Sequence, residues 1–153
     1  MIMDIFVGVF SLACAFIWAR YAIRTILAER ASSRDAARLA KASNLEFTNV
    51  SAALDSAPQR EKKEYRSFAE SLRYDFLAVS YLMRSTPTGE MLPYSLKEKV
   101  FVIYFRLMQF LCAIGRLVWP PMARFALREM IAVLTCFAGI ADQRMFAEAS
   151  EWF

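Results

Sequence analysis

Three charged residues fall where helical periodicity calls for apolar ones. On a helix running from Pro58 to Arg84, Asp75 lies inside the arc set by Phe68, Leu72, Phe76, Val79 and Leu82. Arg106 stands in the middle of the apolar stretch from Leu96 to Val118, and Glu129 shares its wheel position with Val133, Cys136 and Ile140. A carboxylate turned towards a core is costly unless paired, and a guanidinium offers a donor fork that matches both of its oxygens. Asp75 and Arg106 are therefore expected to form a buried charge pair, with Glu129 as a second acid completing the set. Such a group could act as a proton relay or a polar ligand site. The structural alternatives, a buried pair that fixes helix register or side chains that simply reach solvent at the edge of a thin bundle, are the ones the sequence favours, because ion pairs of this kind attest to specificity more often than to chemistry.

Little other chemistry is available. The chain has no histidine, so it has no Ser-His or Cys-His nucleophile and no imidazole ligand for a metal or haem. Cys14, Cys112 and Cys136 are far apart and set among apolar residues, which fits reduced buried thiols and neither a zinc spacing nor a disulfide framework. There is no glycine-rich phosphate cradle and no metal cluster, so no catalytic, cofactor-binding or metal-binding residue is expected. An enzyme would have to work through carboxylates, thiols or tyrosines alone. The net charge is +4, but the 19 Lys and Arg are mixed with 15 Asp and Glu, and this argues against a nucleic-acid partner.

The elements that would position these residues are helices. Of the 153 residues 58% are hydrophobic and 14% aromatic, with only four Gly and five Pro, too few turn residues for a strand-rich protein. The fold class expected is all-α: an N-terminal single transmembrane helix followed by a cytoplasmic bundle of three long helices. Residues 1–28 make the anchor, 29–57 a juxtamembrane basic helix and connector, and 58–153 the bundle, with helices at about 58–84, 95–118 and 121–150. Asn44 suits a helix C-cap, and residues 45–58 read as a connector with at most one helical turn around Val50 to Leu54. Residues 85–94 carry two prolines and a glycine and form a loop; Ser95 with Glu98 then makes a capping box, and Trp119-Pro120-Pro121 ends the next helix.

The anchor rests on the stretch from Ile5 to Ala19, which carries no charge. A secretory signal has positive charge in front and a small-residue cleavage site behind, whereas here Asp4 stands in front and Arg20 and Arg24 behind. With its flanks, Ile2 to about Leu27 is long enough for a bilayer core, which takes about 20 residues. Arg20, Arg24, Arg30, Arg34, Arg38 and Lys41 all lie after the span, so the positive-inside rule puts the N-terminus outside and the bulk of the chain on the cytoplasmic face of an inner membrane. If the helix ran unbroken to Ser43, these six would occupy about 120° of arc, read first as a solvated face whose charge sets the topology and otherwise as a stripe for lipid or an acidic partner; "AERASS" (28–33) is the natural place for a bend.

These features point to a non-enzymatic, membrane-anchored interaction or scaffold protein, an accessory subunit with a protein partner. Two alternatives remain. Residues 96–150 could insert as a second hairpin, or Met- and Phe-rich helices could hold an apolar ligand such as a lipid or quinone. Phe146, Trp152 and Phe153 give the C-terminus an apolar end that either docks on a partner or closes the bundle. One contiguous core is expected from Phe68, Leu72, Phe76, Leu107, Leu111, Ile114, Val133, Phe137 and Ile140.

Overall fold

The structure, a computed structural model, describes residues 1–30, 33–56, 62–85, 90–91 and 93–151, with the side chains of 26–36 outside the described set. The fold is all-α. Among the described residues six helices succeed one another: α1 (Ile2–Arg30), α2 (Ser33–Ala42), α3 (Phe47–Ser56), α4 (Lys62–Arg84), α5 (Leu96–Val118) and α6 (Pro120–Glu151). Outside them, the described residues form a single isolated antiparallel bridge, Ser85 with Met91. The chain divides into two compact units, Met1–Arg30 and Ala31–Phe153.

The first unit is α1 alone. Its apolar residues are distributed around the whole circumference, so no face is set apart for packing. Ile2–Thr25 has a mean hydropathy of 2.1, and none of its most apolar window is buried. Cys14 is exposed on this helix, contrary to the expectation of three buried thiols, while Cys112 and Cys136 are buried.

In the second unit α6 is the hub. From Ala123 to Asp142 it buries residues on every side, and it packs against α2, α3, α4 and α5. The aromatic centre joins three helices: Phe76 of α4 stacks on Phe105 of α5 at 4.0 Å and on Phe137 of α6 at 5.6 Å, and Phe101 meets Phe137 edge-on at 5.7 Å. Such pairs add directional preference to the burial of large side chains.

The helix ends are set by local sequence. Asn44 takes a positive φ of 53°, and Leu45 N–H reaches back to Ala40 O at 2.9 Å, the six-to-one bond of a Schellman cap on α2. Ser95 accepts from Glu98 N–H at 3.3 Å while Glu98 accepts from Ser95 N–H at 2.8 Å, completing the capping box. Trp119 is held extended before Pro120, as a residue preceding proline must be, and this single residue joins α5 to α6. The two helices come together beside it: a Cβ on Gly115 would lie 2.6 Å from Ala123 N.

Three expectations need correction. The connector is a helix: α3 spans Phe47–Ser56 and buries Phe47, Val50 and Leu54. Its ends are held by distant residues, with Asp75 of α4 accepting from Glu46 N–H at 2.8 Å and Arg124 of α6 donating to Leu54 O at 2.9 Å. Ten residues seldom sustain a helix alone, so tertiary packing supplies what local propensity lacks. Next, the three long helices are present as α4, α5 and α6, but the compact unit begins before residue 58, because α2 and α3 join it. Finally, α5 presents a different face to the core. Phe101, Tyr104, Phe105, Met108, Cys112 and Gly115 are buried, whereas Leu107 and Ile114 are exposed and Leu111 is half-buried. Of the other expected core residues, Leu72, Phe76, Val133 and Phe137 are buried, and Phe68 and Ile140 are half-buried.

Candidate functional site

The three charges singled out by periodicity go to three different places. Asp75 is buried, but its partner is backbone: it accepts from the N–H groups of Glu46 and Phe47 and so caps the first turn of α3. Arg106 is exposed on α5 and does not pair with it. The reason is the rotation of α5, whose aromatic face turns inward and carries Arg106 outward. Glu129 is buried and accepts from Tyr104 O–H at 2.7 Å, within the α5–α6 contact. The structure therefore does not assemble a triad, and each acid instead holds one element in place.

Burial raises the Asp75 carboxyl above its ordinary pKa; the two N–H donors pull it back, and the nearby Glu46 charge adds to the rise. A carboxyl whose folded pKa is raised contributes stability that is fully present below its unfolded pKa and lost as pH rises through the folded one. Asp75→Asn keeps an acceptor for α3 and removes this pH dependence. Urea denaturation carried out from about pH 4, near the ordinary carboxylate range, up to about pH 7 is expected to show the Asn variant gaining on wild type as pH rises. Asp75→Ala strands both donors and is expected to cost about 1 to 3 kcal/mol throughout.

Two further buried acids are paired, which the sequence did not suggest. Glu98 accepts from Arg144 Nη2 at 2.6 Å, and Arg144 also donates to Met83 O at 3.1 Å, so one guanidinium ties the end of α4 to the start of α5. These groups border an open cleft of about 740 Å³ whose lining includes Tyr94, Met145 and Glu148. Asp142 accepts from Arg38 at 2.8 Å, and the same guanidinium lies over the Phe146 ring at 4.3 Å. Signals existed only on one side of each pair: Glu98 was legible as a cap, but its partner is 46 residues away.

The basic set divides accordingly. Arg38 is engaged inside the compact unit, Lys41 and Arg24 are exposed, and Arg20 is half-buried. The side chains of Arg30 and Arg34 lie outside the described residues, as do Trp152 and Phe153. The single stripe required one unbroken helix, whereas α1 ends at Arg30 and α2 begins at Ser33. Phe146 remains more than half exposed while it carries Arg38.

The outward surface of α5 is the largest feature that periodicity misassigned. Leu96, Val100, Ile103, Leu107, Phe110, Ile114 and Leu117 are all exposed and succeed one another in steps of four and three. That spacing keeps side chains on one side of a helix. Val118 and Trp119 extend the surface at its end. An apolar face of this length is more than the scattered single residues a soluble surface carries. By length and composition α5 also meets the criterion for a span, but a third of its most apolar window is buried.

Among the described residues no group of three or more Cys, Asp or Glu is placed to hold a metal ion. Cys112 is buried, and that burial pushes its thiol up and away from the reactive thiolate. No family model, no curated protein and no solved structure matches this chain.

Proposed function

We propose that the protein is a membrane-anchored helical interaction protein, a non-enzymatic accessory or scaffold subunit whose α1 crosses a bilayer and whose five-helix unit works at the cytoplasmic face. The observation that carries this reading is α1 itself: 24 residues from Ile2 to Thr25 with mean hydropathy 2.1, unburied in its most apolar window, and a separate compact unit after it. Exposing such a helix to water is unfavourable by about 25 cal/mol for each Å² of apolar surface, and a bilayer removes that cost along its whole circumference. Arg20 and Arg24 at its C-terminal end favour the cytoplasmic side for the remainder of the chain.

The hairpin alternative is disfavoured by the contents of α5 and α6. Inserting them would carry Glu98, Glu129 and Asp142 into hydrocarbon and strip α6 of α2, α3 and α4. The cleft bordered by Glu98 and Arg144 is lined in part by charge, which does not favour an apolar ligand there. The test is fractionation of membranes carrying the full chain, with a reporter at the C-terminal end. The chain is expected to remain with the membrane through an alkaline wash and to report cytoplasm, and removal of residues 1–28 is expected to release it.

A further inference from the structure

We propose that the outer face of α5 lies flat on an anionic lipid surface, a second membrane contact that rests on the reading of α1 as the anchor. The face is formed by Val100, Ile103, Leu107, Phe110, Ile114 and Leu117, all exposed, in steps of three and four residues. Helix α5 is 23 residues long, which makes the strip about 35 Å from end to end.

Charge selects the occupant. The one acid on α5, Glu98, is buried, engaged by Arg144 and by its own capping box, and turned to the core. The exposed charges of the helix are Lys97, Lys99 and Arg106, all positive, and Lys99 and Arg106 share one edge of the apolar strip by helical position. A helix with an apolar face, cationic flanks and an exposed Trp at its end has the pattern of an interfacial segment, with the apolar side at the headgroup boundary and the cations among anionic headgroups. A second copy of this chain paired strip to strip would set the flanking cations of the two α5 helices against each other, with no exposed acid on that helix to meet them. A spanning α5 would have to expose the face that holds Glu98, Tyr104 and Phe105 against the bundle.

Tethering makes the contact effective. Chain connectivity through α1 holds the five-helix unit near the bilayer, so lipid competes at high effective concentration with any soluble occupant. Contact by the strip would orient the unit on the membrane and leave α4, with exposed Tyr74 and Tyr81, as a separate surface for other contacts.

Spin-label accessibility on the full chain reconstituted in vesicles tests this. Native Cys14 is the exposed cysteine of the three and takes a label that reports α1. In a Cys14→Ser background, single labels are placed at Ile103→Cys, Phe110→Cys and, as a control on α4, Tyr81→Cys. In vesicles of phosphatidylcholine with phosphatidylglycerol, the labels at 103 and 110 are expected to collide with oxygen in preference to a water-soluble nickel complex, and the label at 81 to show the reverse. That preference is expected to be lost with Lys99→Glu and Arg106→Glu together, and to be weaker in phosphatidylcholine alone. Labels at 103 and 110 that face water in both vesicles overturn the proposal. So do labels shielded from both reagents, which would indicate protein cover, and dipolar broadening between copies, which would indicate a dimer. A Cys14 label in lipid beside water-facing labels on α5 retires this inference and leaves the anchor standing; a Cys14 label in water retires the anchor reading.

Discussion

Phe137→Ala is expected to cost about 3 to 5 kcal/mol, the range for truncating a large buried aromatic. Phe137 is fully buried, stacks with Phe76 and makes a T-shaped contact with Phe101, so its removal opens a cavity where α4, α5 and α6 converge. Domains are commonly stable by only about 5 to 15 kcal/mol, so this single change is expected to consume a large share of the total. Leu107→Ala is the informative comparison. Helical periodicity alone puts Leu107 in the core, but it is exposed, and its truncation is expected to shift stability by no more than about 0.5 kcal/mol. Urea denaturation of the detergent-solubilised protein, monitored by helical circular dichroism, checks both. Equal losses for the two variants would show that α5 presents the opposite face.

Gly115→Ala is expected to be the other strongly destabilising change, although alanine is the better helix former by about 1 kcal/mol. The added Cβ would sit 2.6 Å from Ala123 N and 3.1 Å from Ala123 Cα, and these are backbone atoms that cannot rotate away. The two helices also have no slack to separate, because Trp119 alone connects them and its N–H is bonded to Gly115 O at 2.8 Å. Overpacking of this kind costs about 1 to 3 kcal/mol, and the rigid neighbour places the loss towards the upper end even after the propensity gain. Gly8→Ala is the control: nothing lies within 4 Å of a Cβ there, and no loss is expected. A lowered melting temperature for the Gly115 variant with none for the Gly8 variant is the predicted pattern.

What could be read from sequence was what depends on neighbours along the chain. The capping box at Ser95 and Glu98, the stop at Trp119-Pro120 and the left-handed Asn44 are each built within six residues, and their residue types determine them. Helix α3 was not legible because its ends are fixed by Asp75 and Arg124, which are 29 and 70 residues away from the groups they bind. The burial of Asp75 was legible from the wheel, but its partner was not, since a backbone N–H leaves no mark in side-chain pattern. For α5 the pattern was ambiguous in principle: a helix apolar on nearly every side gives no preferred face. The available clue was that Glu98, Phe101, Phe105, Cys112 and Gly115 share one side, with a glycine suited to close approach, while Arg106 lies away from them. That rotation accounts for the failed pairing of Asp75 with Arg106 and for the apolar strip that faces outward.

The claim on which the functional reading depends is that α1 crosses a bilayer and holds the five-helix unit at its cytoplasmic face. Alkaline washing tests it most directly, because it strips surface-bound proteins, including any held through α5 and headgroup charge, and leaves integral ones in place. Membranes carrying the full chain and membranes carrying a chain without residues 1–28 are washed and assayed side by side, with a reporter at the C-terminal end. The account predicts that the full chain stays in the washed membrane with its reporter in the cytoplasm, while the shortened chain is released. Release of the full chain by the wash, or a reporter on the outer side, would contradict it.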